Sequence, residues 1–166
     1  MSSRLPSLGP RGEGWVVAQL VLFALIGATG LVALTGRPAG PSPLAGPSPM
    51  AGLAGAGAIV AGGLVVLRAA WDLRASLSPF PRPLAGAELV EDGAFRRVRH
   101  PIYSGILLAG AGWALVSGSL VTLALVGLLA ILFDAKSRRE EAWLGAAFPG
   151  YEAYRARTKR FIPGVY

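Results

Sequence analysis

Four long apolar runs alternate with polar or proline-rich stretches along this chain. A membrane-spanning helix needs about 20 mostly apolar residues, and a shorter run reaches that length when its polar ends continue the helix. The pattern predicts spans at about residues 15–35, 50–71, 101–117 and 119–136. We therefore predict an all-α integral membrane protein with about four transmembrane helices, a C-terminal cytoplasmic helix and an interfacial tail.

The first run raises the question of a signal peptide, because Arg4 and Arg11 precede it. Signal-peptide cores are about 7–15 residues long, whereas this run has the length of a full span. We interpret it as a retained membrane helix behind an N-terminal cytoplasmic tail, residues 1–14. The chain has 166 residues, so the remainder, residues 15–166, is expected to form a single membrane domain.

The connectors differ in length and composition. Proline, glycine and serine dominate residues 36–49, which predicts a loop. Residues 72–100 form a long connector, and such connectors inside compact domains are usually functional. A small-residue break at 117–119 predicts a tight hairpin of the last two spans. That hairpin would bring His100 and Lys136 to the same membrane face.

Basic residues are distributed unevenly around the apolar runs. All of them except Arg37 lie near the N terminus, around the 72–100 connector, or at and beyond the end of the fourth run. The positive-inside rule then predicts that both termini and this connector are cytoplasmic. A net charge of +7 would suggest nucleic acid in a soluble protein. Here the positions of the charges favour membrane lipids as partners and no nucleic acid.

Composition also narrows the chemistry. The chain has no cysteine and one histidine, so no disulfide, thiolate nucleophile or zinc or iron site is expected. The GxG pattern at Gly55 and Gly57 lies in an apolar run and follows no strand. Small residues there favour close helix packing over a nucleotide-binding loop.

Two polar clusters flank the predicted hairpin. His100 precedes Pro101, and polar groups at a membrane edge often bind something, although proline also simply suits the first turn of a helix. Lys136 and Glu140 are four residues apart and share a helical face. They could form an ordinary ion pair, with Arg138 and Arg139 reaching lipid headgroups, or Glu140 could bind a ligand.

The two clusters together resemble a known family. Residues 93–105 read GAFRRVRHPIYSG, similar to the family pattern GPYrxvRHPxYxG. Residues 140–163 resemble its second pattern, EExxLxxxFGxxYxxYxxxTxRfiP, with Phe148-Pro149-Gly150 in place of FG. Both patterns belong to the isoprenylcysteine carboxyl methyltransferase family and its bacterial relatives, which are integral membrane enzymes that use S-adenosylmethionine. The resemblance covers roughly residues 86–166.

The resemblance implies a cofactor pocket at the cytoplasmic ends of the last helices, lidded by the C-terminal segment. Carried over by position, the residues that bind S-adenosylmethionine are Leu89, Val90, Phe95, His100, Pro101, Tyr103 and Glu140. Arg99, which could face the carboxylate of the cofactor, and Glu141 complete the predicted set. Substrate positioning falls to Lys136, where the family usually has arginine, and to Arg139. Lys136 keeps the charge but lacks the planar fork of arginine, and Phe95 replaces a family tyrosine.

The implied reaction is methyl transfer to a lipophilic small molecule or lipid that enters from the bilayer. A carboxylate acceptor is already nucleophilic, whereas an amine or phenol would have to lose a proton. Lys136→Arg is expected to retain or improve activity on carboxylates. Two alternatives remain open: an NADPH-dependent membrane reductase of the sterol-reductase type, with Arg96, Arg97 and Arg99 at a diphosphate, and a non-enzymatic membrane scaffold.

Overall fold

The computed structural model describes residues 8–36, 48–83, 86 and 88–166. Short 3-10 turns follow the second helix and precede the third, at Arg74–Ser76 and Gly93–Arg96. Within these described ranges the structure has no strand, only an isolated parallel bridge between Val98 and Lys159. The five α-helices are α1 (Glu13–Leu34), α2 (Pro49–Leu73), α3 (Pro101–Ser117), α4 (Leu120–Ala147) and α5 (Tyr151–Arg157).

The prediction of an all-α membrane protein is confirmed. Helices α1, α2 and α4 are each long and apolar enough to cross a membrane, and α3 is a shorter apolar helix of 17 residues. The predicted N-terminal tail and first loop fall largely on residues 1–7 and 37–47, outside the described part of the chain.

The third span has its predicted bounds, whereas the end of the fourth span differs from the structure. Helix α4 continues to Ala147, so the fourth span and the predicted cytoplasmic helix are one element. Its polar half contains no proline or glycine until Gly145, and the chain leaves the helix just before Pro149. Helix α3 does not extend into the polar cluster before it; His100 is its N-cap residue. The predicted interfacial tail contains a further helix, α5.

Glycines bring α2 and α3 into backbone contact. A Cβ atom on Gly105 would lie 2.6 Å from the carbonyl oxygen of Gly62, and one on Gly112 would lie 2.5 Å from that of Gly55. The reverse substitutions meet the same partners, so the two pairs lock the antiparallel helices along their length. The predicted packing role holds for Gly55, whereas Gly57 has open space beside its Cα. Because α3 pairs with α2 in this way, both helices lie at the same depth.

Helix α1 packs on α4 and on the α3–α4 hairpin through polar contacts within the apolar layer. The hydroxyls of Thr29 and Thr122 are 3.0 Å apart. Trp113 Nε1 donates to the carbonyl of Ile26 at 3.1 Å. The hairpin turns at Gly118, whose φ of 62° is left-handed, and Ser119 caps α4 by accepting from the backbone N of Thr122 at 3.1 Å.

The outward faces of the helices are apolar. Leu53, Leu64 and Leu67 of α2 are 72%, 62% and 68% exposed, and Val17 of α1 is 60% exposed. A protein surrounded by water would bury side chains of this kind. In hydrocarbon they face a solvent that suits them, and the chain is accordingly an integral membrane protein.

One face of the helix bundle collects the polar elements. Lys136 of α4 contacts Gln19 near the start of α1, and Asp72 at the end of α2 contacts Ala94 shortly before α3. The start of α1, the end of α2, the turn before α3 and the polar half of α4 therefore meet there. We call this end of the bundle the polar face.

Candidate active site

A cavity of about 400 Å³ opens at the polar face. Its floor reaches into the apolar layer at Ile106 of α3. Gln19 of α1 and Lys136 of α4 also line the cavity. The proline-rich segment 77–83 forms one wall and residues 88–90 another. This volume falls within the range of small-molecule sites.

The turn before α3 is fixed from two sides. Asp72 Oδ2 accepts from the backbone N of Ala94 at 2.8 Å. Gly93 has a φ of 59°, and any Cβ there would collide with the Asp72 carboxylate, so the position requires glycine. On the other side, the Tyr154 hydroxyl donates to the carbonyl of Phe95 at 2.8 Å. The Phe95 ring is thereby held in the cavity wall.

His100 is buried between the two consecutive glutamates of α4. Its Nε2 lies 3.3 Å from Glu141 Oε1, and its Nδ1 lies 3.8 Å from Glu140 Oε2. Tyr103 stacks nearly parallel to the imidazole, with ring centres 5.3 Å apart, and its hydroxyl donates to Glu140 Oε2 at 2.9 Å. These contacts place an imidazole, a phenol and a carboxylate side by side at the cavity surface.

Glu141 binds two arginines from distant parts of the chain. Its Oε1 accepts from Arg99 Nε and from Arg160 Nε, each at 3.0 Å, and its Oε2 accepts from Arg160 Nη2 at 3.0 Å. The Glu141 side chain is 4% exposed. Burial disfavours the charged form of Arg160, but the hydrogen bonds and charge of Glu141 outweigh it and raise the pKa of Arg160 above its usual range.

Residues 158–166, which we call the C-terminal segment, close over this cluster. The backbone N atoms of Arg99 and His100 donate to the carbonyls of Lys159 and Arg160 at 2.8 and 3.0 Å, and Ser104 Oγ donates to the carbonyl of Phe161 at 2.7 Å. Burial raises the pKa of Tyr154 above its usual range, so its phenol remains a hydrogen-bond donor. The segment thus fixes the backbone of residues that line the cavity.

Lys136 connects α1 with segment 77–83, two other parts of the cavity wall. Its Nζ donates to Gln19 Oε1 at 2.7 Å and to the carbonyl of Pro79 at 3.0 Å, and it lies 5.3 Å from the centre of the Tyr103 ring. The residue is 1% exposed. Both of its hydrogen-bond acceptors are neutral, so the cation faces the cavity without a carboxylate of the described residues bound directly to it.

We expect Lys136→Met to loosen segment 77–83, because the substitution keeps the chain length but removes both hydrogen bonds. Hydrogen exchange of the backbone amides in this segment should accelerate at least several-fold, the scale of a hydrogen bond to a charged group. Arg138→Gln is the matched control, since Arg138 lies two residues away in an exposed ion pair with Asp134. Equal exchange in both variants would remove Lys136 from this role.

Most of the predicted site residues converge on the cavity. Those that line it are Leu89, Val90, Phe95, Arg99, His100, Pro101, Tyr103, Lys136 and Glu140. Glu141 lies behind the cavity wall, where the arginines occupy its carboxylate. Arg139 is also outside the lining; its guanidinium lies 4.6 Å from the centre of the Trp143 ring, and its Nε finds no partner among the described residues.

Sequence reasoning missed several lining residues. Gln19 lies in the first apolar run, where its single amide side chain was the available sign of a functional residue. Segment 77–83 belongs to the long connector, whose length pointed to function without naming residues. Phe148 of the lining was treated only as part of a motif. Arg96 and Arg97, proposed above for a diphosphate, are exposed and lie outside the cavity lining.

The helices and the cavity define a small integral membrane protein with a cavity at the polar face. The sequence model of the family "Phospholipid methyltransferase" matches residues 50–150. This match covers more than half of the chain, and the chain belongs to that family of membrane methyltransferases. The resemblance drawn from the two motifs is confirmed at this level, and the assignment favours methyl transfer over the reductase and scaffold alternatives.

A curated relative gives a partial match. The chain is 36% identical over 76 residues to the cobalt-zinc-cadmium resistance protein CzcN of Cupriavidus metallidurans. The matched region covers 45% of this chain and 35% of that protein. The chain therefore spans about a third of the length of this relative.

Proposed function

We propose that this protein transfers a methyl group from S-adenosylmethionine to a lipophilic acceptor at the cytoplasmic membrane face. The observation that carries the proposal is the cavity itself. Its polar half holds His100, Tyr103 and Glu140, and its apolar half reaches Ile102 and Ile106 in the first turns of α3. One cavity can thus hold a charged methyl donor and an apolar acceptor side by side.

The cavity residues fit the donor. S-adenosylmethionine supplies an electrophilic methyl group on a sulfonium cation, together with a carboxylate, an ammonium and ribose hydroxyls. Glu140 Oε2 accepts one hydrogen bond, from Tyr103, and a carboxylate has lone pairs for further donors such as an ammonium or hydroxyls. Phe95 and Tyr103 offer aromatic faces to the adenine or the sulfonium. Arg99 also lines the cavity, and its Nη2, which has no partner among the described residues, can donate to a carboxylate.

The residues that line the cavity indicate the chemistry of the acceptor. Chain residues that contact the acceptor serve mainly to hold it in line with the methyl group, because positioning supplies much of the rate in such transfers. Lys136 is a buried cation at the cavity surface, and we assign substrate positioning to it alone, since Arg139 faces elsewhere. A carboxylate acceptor would pair with Lys136 and would need no base.

The membrane orientation belongs to the same proposal. Exposed arginines surround the polar face, among them Arg11, Arg74 and Arg97. The positive-inside rule places such a face in the cytoplasm. S-adenosylmethionine would then reach the cavity from the cytoplasm while the acceptor enters between helices from the bilayer.

We expect Glu140→Gln to weaken binding of S-adenosylhomocysteine by about 10- to 150-fold. The variant keeps the shape but loses the charge, and a charge-assisted hydrogen bond is worth about 1.5–3 kcal/mol. Titration calorimetry of the protein in detergent measures the change. Glu152→Gln is the control, because the Glu152 side chain is 72% exposed on α5. An unchanged dissociation constant in Glu140→Gln would exclude Glu140 from the donor site.

The reaction itself is tested by transfer of a tritiated methyl group. The purified protein is incubated with labelled S-adenosylmethionine and with long-chain carboxylic acids, amines or phenols in parallel. The proposal expects label in the organic phase, and alkali-labile label if the product is a methyl ester. Binding of NADPH without binding of S-adenosylhomocysteine would contradict it.

A further inference from the structure

The C-terminal segment is hydrogen-bonded to the turn before α3, and we call this contact the joint. Two exposed cations lie on either side of it. The backbone N of Lys159 donates to the carbonyl of Arg97 at 3.4 Å, and Lys159 forms the bridge with Val98. Both Arg97 and Lys159 are exposed. Neither forms an ion pair with an acidic residue in the described part of the chain. Each of the two backbone segments that meet at the joint therefore carries an exposed cation.

The joint lies at the depth of lipid headgroups. Arg97 precedes the first residue of α3, Pro101, by only four positions, and the headgroup layer adds about 5–8 Å to each side of the hydrocarbon core. Ile162 and Val165, which follow Lys159 closely, are 53% and 72% exposed. Cations beside exposed apolar side chains are typical of a surface that rests on a membrane.

We propose that anionic phospholipid headgroups bind between Arg97 and Lys159 and thereby hold the C-terminal segment closed over the active site. A phosphate that contacts both side chains would link the two backbone segments through charge-assisted hydrogen bonds. The closed segment in turn fixes the backbone N atoms of Arg99 and His100, which line the cavity. The composition of the membrane would thus control how well the site is formed. This inference extends the proposed function, but its test does not depend on methyl transfer.

The test is hydrogen exchange of the peptide that carries the Arg99 and His100 amides, with the full chain in nanodiscs and no cofactor. Discs of phosphatidylcholine are compared with discs that contain about 30% phosphatidylglycerol. We expect exchange to slow in the anionic discs by about fivefold for each cation that a headgroup engages. The double variant Arg97→Gln/Lys159→Gln should exchange at the same rate in both discs.

Two controls make the test decisive. Arg11→Gln/Arg74→Gln removes two exposed charges from the same face and should keep the lipid effect. Inorganic phosphate added to neutral discs should leave exchange unchanged. The proposal would be overturned if exchange in the wild-type protein were the same in both kinds of disc. It would also be overturned if both double variants lost the lipid effect equally, or if free phosphate slowed exchange as much as the anionic lipid does. Absence of methyl transfer, by contrast, would leave these rates untouched.

Discussion

Glu141→Ala is expected to lower the free energy of unfolding by about 3–5 kcal/mol, the cost of leaving buried charges unpaired. Arg99 and Arg160 would each lose a hydrogen bond of 3.0 Å to Oε1, and Arg160 a second one to Oε2. The arginine side chains are 9% and 10% exposed, so water can replace the carboxylate only after the segment opens. Denaturation in mixed micelles measures the change.

The matched control for this prediction is Glu152→Ala. Glu152 also contacts an arginine, Arg155 at 3.6 Å, but both side chains are largely exposed, and such pairs contribute at most about 1 kcal/mol. Glu141→Ala also removes a 3.8 Å contact with Arg155, but that arginine is half-exposed, so the difference between the two variants reports mainly the buried contacts. If Glu141→Ala unfolds at the same denaturant concentration as Glu152→Ala, then Glu141 is not the residue that anchors the two arginines.

Gly62→Ala should destabilise the protein by about 1–3 kcal/mol and also weaken ligand binding. The added methyl group would collide with the backbone carbonyl of Gly105 and lie 2.7 Å from the backbone N of Ala109. A backbone cannot rotate away as a side chain can, so α3 has to move, and overpacking of this kind costs about that much. Pro101 and Ile106 of α3 line the cavity, which carries the displacement into the active site.

Gly63→Ala supplies the comparison. It makes the same chemical change one residue along α2, where no neighbouring atom lies within 4 Å of the new Cβ. Because alanine favours helix over glycine, this variant should be neutral or slightly stabilised. Thermal denaturation in detergent and the affinity for S-adenosylhomocysteine both report the contrast. Similar values for the two variants would show that α2 and α3 are not packed so closely that only glycine fits between them.

Much of the fold followed from the length of the apolar runs, because hydrocarbon permits few spanning structures other than helices. The structure confirms the helical class and places α1 and α2 within a few residues of the predicted bounds. The end of α4 was missed because hydropathy falls at Asp134 while the helix continues on charged residues that favour it. Tail helix α5 is only seven residues long and has no apolar run that would reveal it.

The candidate site was predictable as a set of residues but not as an arrangement. The structure brings together His100, Tyr103 and Glu140, which the two motifs supplied. Consecutive residues of a helix point about 100° apart, and no pattern told which of Glu140 and Glu141 faces the cavity. The contact of Lys136 with Gln19 joins residues 117 positions apart and leaves no local signal.

The position of Arg160 has a consequence for how the molecule forms. Glu141 lies near the end of α4, and the partner that binds both of its oxygens follows 19 residues later. When α4 has left the ribosome, Arg99 is already available to Glu141 Oε1, but Oε2 still lacks its arginine donor. The carboxylate gains its full set of hydrogen bonds only after the chain has grown past residue 160. Ligand binding should consequently be one of the last properties that a newly made molecule acquires, well after its helices have entered the lipid.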